Sequence, residues 1–296
     1  MGSIKKVARS FATHNGHFHA DEVTACALLL LYDCIDWDKI IRTRERRRYI
    51  ECEYICDIGG LYAPDKGLFD HHQDSYRGEL SSAGMILLHL FQDKGCIDQE
   101  EYDFFHNQLI WGVDAHDNGQ PIPREGYAFF SQIVSSYYPV GSASDEVEER
   151  SFFEALLFTY HYLERLRSRL QAIRSCRGEI ERTMSKGGEL LFFERALPWL
   201  ENFFFLKGER HPAKFLLMPS KNRWKVRAIP PCLEKRMAVR LSHPASWLGK
   251  QGEALEEVTQ IEGAIFCHKG GFISIWRDRK AAVQGAQKIL SLSACQ

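Results

Sequence analysis

Thr13-His14-Asn15-Gly16-His17-Phe18-His19-Ala20-Asp21-Glu22 decides how this chain is read. Three histidines and two carboxylates stand within the nine residues 14–22. Val7 to Thr13, just before them, is a short apolar run that breaks at Asn15-Gly16. Asp21-Glu22 then opens a run with apolar residues at helical spacing: Val23, Cys26, Ala27, Leu30 and Leu31. The pattern is strand, loop, helix. Open α/β sheets bind ligands beyond the carboxyl ends of their strands, so His14, His19 and Asp21 occupy the position where such folds place their chemistry.

Working outward, Lys39-Ile40-Ile41-Arg42 predicts a second strand, and Arg44-Glu45-Arg46-Arg47-Arg48 after it could meet phosphates, although a solvated edge is the preferred reading. Tyr54-Ile55-Cys56 predicts a third strand ending in Asp57, where Ile58-Gly59-Gly60 turns the chain. Pro64-Asp65-Lys66-Gly67 is a turn signal, and Leu68-Phe69 leads into Asp70-His71-His72. A helix starts at Ser81-Ser82, whose hydroxyls suit a helix N-terminus. Another, Gln99 to Trp111, delivers Asp114 and Asp117 at its carboxyl end. Alternating strands and helices predict an α/β fold with a mostly parallel sheet covered by helices on both faces.

Pro139 to Ser144 breaks this pattern. Asp145 to Met184 is then a long charged helix with Phe152, Phe153, Leu156, Leu157, Tyr160, Leu163, Leu166 and Leu170 on one stripe. Ser185-Lys186-Gly187-Gly188 ends it. Shorter β-like runs follow at Glu189–Phe193, Lys214–Met218, Trp224–Ile229, Ala264–Cys267 and Gly271–Ser274, before a last helix from Arg279 to Leu290. The expected organisation is an N-terminal domain with its connecting helix, 1–185, and a smaller C-terminal α+β domain, 186–296.

With 296 residues, 45% hydrophobic and 26% charged, the chain is long enough for two cored domains. Its 38 basic and 39 acidic residues nearly cancel, so a polyanion must be held by local patches and not by an overall field. The nine cysteines are odd in number and scattered, without CxxC or zinc-finger spacing, which fits a reduced cytoplasmic protein. Ala25 to Leu31, the richest apolar run, is far shorter than the ~20 residues a membrane span needs, and no signal core follows the basic start. The expectation is a soluble, unexported protein with no membrane partner.

His and carboxylate ligands without thiolate suit Mn²⁺, Mg²⁺, Fe²⁺ or Zn²⁺, and several Asp lean the set toward Mn²⁺. The clusters at 14–22, 57, 70–72 and 114–117 over-supply a single ion. Two ions about 3.5–4 Å apart, sharing a carboxylate and a water, suit in-line phosphoryl displacement. His14, His19, Asp21, Asp57, Asp70, His71 and His72 are therefore read as site residues. Asp114 and Asp117 stay equally eligible, since one can be a ligand and the other a helix-end or turn residue beside Asn118-Gly119. His17, His89, His106, His161, His211 and His243 are read as structural.

These segments, in this order, resemble the DHH phosphoesterase superfamily, named for the triplet standing here as Asp70-His71-His72. The likeness is closer to its melanocyte-proliferating-gene-type exonuclease branch, also described as metal-dependent protein hydrolases. The signature of that branch is similar to residues 13–22, to Asp57-Ile58-Gly59-Gly60, to Phe69-Asp70-His71-His72-Gln73 and to Asp114-Ala115-x-Asp117-Asn118-Gly119. Trp224 to Pro230 and Phe266 to Ile273 are similar to its later elements. Many DHH relatives place an aspartate where His19 stands.

The resemblance implies that His14, His19 and Asp57 hold one ion. Asp21, Asp57, His71 and an aspartate of 114–117 would hold the other, with Asp57 bridging. It further implies that Asp70 orients a histidine and that His72 faces the scissile phosphate. The C-terminal domain would hold substrate, with His268, Lys269, Arg277 and Arg279 as phosphate-facing groups. Trp224 and Trp276 could stack bases or fill the core. The function expected is phosphodiester hydrolysis with two ions, Mn²⁺ first and Mg²⁺ as the alternative, on single-stranded RNA or short oligonucleotides cleaved from an end. The competing readings are a phosphomonoesterase acting on a small nucleotide and a metal-binding regulatory protein without turnover. A homo-oligomer is left open.

Overall fold

The computed structural model describes residues 5–120 and 126–294. Packing divides the chain into two compact units, Met1–Leu170 and Gln171–Gln296.

The first unit holds β1 (Val7–Thr13), β2 (Ile40–Arg42), β3 (Cys52–Cys56), β4 (Tyr62–Ala63) and β5 (Leu68–Phe69), in the order β2-β1-β3-β5-β4. The first four in that order are parallel, and β4 pairs antiparallel to β5. The register sets Thr13 against Arg42, Ala12 against Ile55 and Cys56 against Phe69, so four strands finish at one rim. The mostly parallel sheet matches expectation. The antiparallel edge does not follow from the sequence, because a strand of two residues is too short to show a period.

Helix α1 (Ala20–Leu31) is buried along almost its whole length, as an element apolar nearly all round must be. After the short, exposed α2 (Arg46–Tyr49) comes α3 (Ser82–Gln92). α1 and α3 cover the sheet face that carries Phe11, Tyr54, Cys56 and Phe69. The other face bears a smaller cluster, Ala12, Cys52 and Ile55, under Tyr49 of α2. Helices thus lie on both faces, unequally.

α4 (Gln99–Phe105) passes through a π turn at His106–Ile110 into α5 (Trp111–Asp117). The expected helix end at Trp111 is therefore overrun, and Asp114 and Asp117 are helical residues. Gly112 does not break the helix, and the π turn rotates the residues after it relative to those before, which helical spacing in sequence does not reveal. α6 (Phe130–Ser135) precedes α7 (Asp145–Met184), which has the bounds read from the sequence. Phe152, Ala155, Leu156, Leu163 and Leu166 of α7 belong to the first core and Cys176, Ile180 and Met184 to another. Packing accordingly divides the helix itself at 170/171.

The second unit holds β6 (Leu190–Phe192), α8 (Trp199–Phe205), β7 (Phe215–Ser220), β8 (Arg223–Ala228), α9 (Glu253–Thr259), β9 (Ala264–Cys267), β10 (Ile273–Trp276) and α10 (Arg279–Ala294). Its sheet runs β6-β7-β8-β10-β9, with β6 parallel to β7 and the remaining pairs antiparallel. Alternation sends Phe215 and Leu217 into one core with Trp276, Ala282 and Ala286, and Leu216 and Met218 into another with the end of α7 and α8. Trp276 is fully buried and donates its indole N–H to Ser274 Oγ at 2.9 Å, so it is a core residue and cannot stack a base. Trp224 lies flat on Phe192, ring centres 5.4 Å apart. Among the described residues no helix is long and apolar enough to cross a membrane.

Candidate metal centre

The rim of the first sheet is where the sequence-read clusters meet. β1 runs into His14, β3 into Asp57 and β5 into Asp70-His71-His72, side by side because the parallel strands end in register. Asp57 itself has φ 55°, a left-handed conformation uncommon outside Gly, Asn and Asp. That kink lets the carboxylate leave the end of β3 inside the cluster, where it is 7% exposed.

His14 Nε2 is 3.0 Å from Asp57 Oδ2 and 3.4 Å from Glu22 Oε1. His71 Nε2 is 3.0 Å from Asp117 Oδ2 and 3.8 Å from Asp57 Oδ1. Ligand-type atoms converge in three overlapping groups: His14, His19, Glu22 and Asp57; Asp57, His71 and His72; His19, Asp21 and Asp117. Asp57 and His19 each belong to two. Asp21 is grouped with His19 and Asp117; of the partners that the resemblance implies for it, the aspartate of 114–117 is in its group and Asp57 and His71 are not.

Glu22 is the residue that sequence reasoning passed over. It reads there as a first-turn acid of α1, and it does accept the His19 N–H, at 2.9 and 3.0 Å, while its side chain is wholly buried beside His14. An acid three residues after a helix start signals a cap, so the pattern hides a second use. The signal available was the doublet itself, two adjacent acids ahead of an all-apolar helix.

Several polar atoms here have nothing to bond. Both Asp21 oxygens, Asp57 Oδ1 and His71 Nε2 are buried without a hydrogen-bond partner. His71 Nε2 and Asp117 Oδ2 are 3.0 Å apart, and the Asp117 carboxylate holds the His71 imidazole above its ordinary value. Burial, reinforced by Asp57, Glu22 and Asp117, pushes the Asp21 carboxyl well above the ordinary carboxylate range. Burial and the Asp57 charge push Glu22 up to about 7. Burial alone would lower His14, but Asp57 and Glu22 outweigh it and hold the imidazole above its ordinary value. Such a crowd of buried carboxylates costs free energy that a cation would offset. Oxygen and imidazole donors without thiolate fit a divalent ion of the Mn²⁺ or Mg²⁺ kind.

Asp70 stands beside this group. Its Oδ2 accepts the Gly60 N–H at 2.6 Å, and its Oδ1 contacts the backbone N–H of His72 at 3.0 Å and the ring Nδ1 at 2.8 Å. The His72 side chain is 63% exposed, so its other nitrogen is open to a ligand. Asp114, by contrast, faces the N-terminus of α3. Its Oδ1 accepts the Ser81 N–H at 3.0 Å, the Ser81 hydroxyl at 2.6 Å and the Gly84 N–H at 3.1 Å. It joins none of the three groups, whereas Asp117, one helical turn on, does. An open depression of about 550 Å³ over the cluster reaches His14, His19, Asp57, Asp70 and His72, with Arg44 on its wall.

The second-unit residues expected to face phosphate do not form one patch. His268 and Lys269 precede β10 and Arg277 and Arg279 follow it, so four strand residues, roughly 13 Å, separate the pairs. His268 Nδ1 accepts the Gly270 N–H at 3.0 Å, and Lys269 is exposed. Arg277 lies 3.0 Å from Glu262, and Arg279 is 3.3 Å from Glu194 and stacked over Phe192.

Residues 10–290 match a family described as an uncharacterised protein family (UPF0160) and labelled as MYG1 exonuclease. A MYG1 protein of Chlamydia pneumoniae is 48% identical over 276 residues, covering 93% of this chain and 94% of its own. The human protein named MYG1 exonuclease is 31% identical over 320 aligned positions, 94% of this chain and 85% of its own. Among solved structures, a pGpG-specific phosphodiesterase from Vibrio cholerae aligns over 99% of both chains at 11% identity with a TM-score of 0.30. RecJ with Mn²⁺ from Thermus thermophilus covers 98% of this chain and 52% of its own, at 12% identity and a TM-score of 0.32; both likenesses are weak. The sequence matches, spanning nearly the whole chain, carry the assignment: the chain belongs to the MYG1 exonuclease family.

Proposed function

We propose that this chain is a divalent-metal-dependent phosphoesterase that hydrolyses phosphodiester bonds, acting as an exonuclease on single-stranded RNA or short oligonucleotides with two ions, Mn²⁺ first and Mg²⁺ second. One observation carries the reading: buried carboxylate and imidazole atoms around Asp57 that no protein donor satisfies. The exonuclease name borne by the human relative supports the substrate class.

His14, His19, Glu22 and Asp57 would hold one ion; His71, which lies near both Asp57 and Asp117, would hold the other with them, and Asp21, grouped with Asp117, stands beside. Ions held there would supply Lewis-acid activation of water and offset charge on the scissile phosphate. The chain's own groups do the rest. Asp70, fixed by the Gly60 N–H, holds His72 through Nδ1, so that Nε2 can meet a phosphate oxygen or give a proton to the leaving oxygen. The Gly59-Gly60 turn, with both glycines at positive φ, lets backbone approach where a side chain would intrude.

The test is Mn²⁺-dependent cleavage of a labelled oligoribonucleotide, beside a nucleoside bisphosphate. Wild type should shorten the oligonucleotide stepwise from one end, and Asp57→Ala and His71→Ala should lose that activity while keeping the fold by circular dichroism. Full activity in either variant refutes the site. Cleavage of the bisphosphate alone would make the chain a phosphomonoesterase.

A further inference from the structure

Beside the metal cavity lies a second one, of about 470 Å³, bounded by Asn15, Gly16, Arg42, Thr43, Arg44 and Arg48, with Asp145 and the start of α7 opposite. The two cavities share Asn15, Gly16 and Arg44. Arg44 owes its place to the sheet. The Thr43 N–H bonds Thr13 O at 2.8 Å, extending the β1–β2 ladder one residue past its end, and the Glu45 N–H bonds the Thr43 hydroxyl at 3.1 Å. The backbone at 43–45 is therefore pinned one strand spacing, about 4.8 Å, from the His14 loop. Arg42 fixes the same loop from beneath, its guanidinium donating to Gly16 O at 2.5 Å while stacked 4.6 Å from the Phe152 ring centre.

The Arg44 side chain, in contrast, is exposed, and among the described residues no carboxylate lies within ion-pair distance of it. Of the four acids that line the same cavity, three are engaged elsewhere: Glu45 pairs with Arg47, Glu148 accepts the Tyr138 hydroxyl, and Glu149 lies 3.6 Å from Arg42; the fourth, Asp145, opens α7. A guanidinium on a rigid backbone, uncommitted and common to both cavities, fits a second anionic group of whatever lies over the metals.

We propose that Arg44 holds a phosphate of a single-stranded nucleic acid next to the one being cleaved, and that the adjoining cavity receives the nucleotide attached to it. This rests on the phosphodiesterase reading above and deepens it. A substrate with a single phosphate makes no use of the seat; a strand does. Discrimination between them is assigned to Arg44.

The experiment compares wild type, Arg44→Ala and Arg44→Lys in two assays. Equilibrium binding of a fluorescent five-nucleotide RNA, read by anisotropy at several KCl concentrations with Ca²⁺ in place of Mn²⁺ so that the strand stays uncleaved, needs no turnover. Arg44→Ala should weaken binding about tenfold and flatten the log–log salt dependence by about 0.7, the loss of one phosphate contact on a single strand, with Arg44→Lys recovering the slope. In turnover, Arg44→Ala should lower the ratio of kcat/KM for the RNA to that for bis(p-nitrophenyl) phosphate about tenfold, through KM. Unchanged affinity and slope overturn the proposal. So does an equal loss on both substrates, which would make Arg44 a support of the metal loop, and so does an effect on a nucleoside bisphosphate without one on RNA. Arg44-dependent binding with no cleavage by wild type would instead sink the hydrolase reading and leave the seat standing.

Discussion

Replacing Gly84 by alanine sets helix propensity against a buried carboxylate, and the geometry says which wins. Gly84 lies in the first turn of α3, where alanine ordinarily gains about 1 kcal/mol over glycine. Here a Cβ would stand 2.2 Å from Asp114 Oδ2, 2.8 Å from its Cγ and 2.9 Å from its Oδ1. The carboxylate must retreat by more than 1 Å, and it accepts three hydrogen bonds from Ser81 and Gly84. Hydrogen bonds to a charged group are worth about 1.5–3 kcal/mol each, and burial forbids water from replacing them. Weakening two of them costs about 3–4 kcal/mol, so the net expectation for Gly84→Ala is a loss of about 2–3 kcal/mol. Urea denaturation of Gly84→Ala, Asp114→Ala and the double variant measures it. The double variant should be less destabilised than the sum of the singles by at least about 1 kcal/mol, since with the carboxylate gone the methyl has room. Additive losses, or a stabilised Gly84→Ala, would refute Asp114 as the group that caps α3.

Other expectations follow from the same geometry. Asp114→Ala should destabilise the fold yet retain Mn²⁺ binding, whereas Asp117→Ala should keep the fold and lose affinity; denaturation and metal titration on both variants check this. Glu22 is pushed up to about 7, so a cation competes with its proton: Mn²⁺ affinity should climb as pH rises from 6 to 8, with protons released on binding, and a calorimetric titration in buffers of different ionisation heat reads both. Asp21→Asn should stabilise the metal-free protein by about 1–2 kcal/mol, because an amide, unlike the carboxylate, needs no proton to be buried among Asp57, Glu22 and Asp117, while reducing the stabilisation that Mn²⁺ confers; thermal melts with and without Mn²⁺ decide. His243 is depressed by burial to about 4, and its ring contacts Gly271 O and Ser274 Oγ at 2.8 and 2.9 Å. The unfolded chain binds that proton near pH 6.5 and the folded one only near 4. The contribution is complete above 6.5 and lost as pH falls, about 2–3 kcal/mol between pH 7 and 4.5, a slope that His243→Gln should flatten.

How much of this the sequence could tell depends on which physical rule was at work. Strand ends were legible: Thr13, Cys56 and Phe69 each close an apolar run beside Gly or a ligand-type residue, and parallel pairing brings such ends to one rim without further information. Helix rotation was not. Asp114 and Asp117 are equivalent as sequence, and only the π turn and the packing of α5 against α3 turn the first toward Ser81 and the second toward His71. Glu22 was obscured because one side chain serves as both helix cap and cluster member. In the second unit, His268 and Lys269 are close in sequence to Arg277 and Arg279, but the length of β10 holds the two pairs apart. The Arg44–Arg48 run reads as a charged edge, and Arg46–Arg48 do lie exposed in a short helix; only the tertiary ladder places Arg44 over the metal cavity.

The most direct test of the central claim is the electron paramagnetic resonance spectrum of metal-stripped protein titrated with Mn²⁺. Two clustered ions sharing Asp57, about 3.5–4 Å apart, should give an exchange-coupled signal that saturates at two ions per chain and disappears in Asp57→Ala. One isolated ion per chain, or a coupled pair that survives the loss of Asp57, would contradict the account.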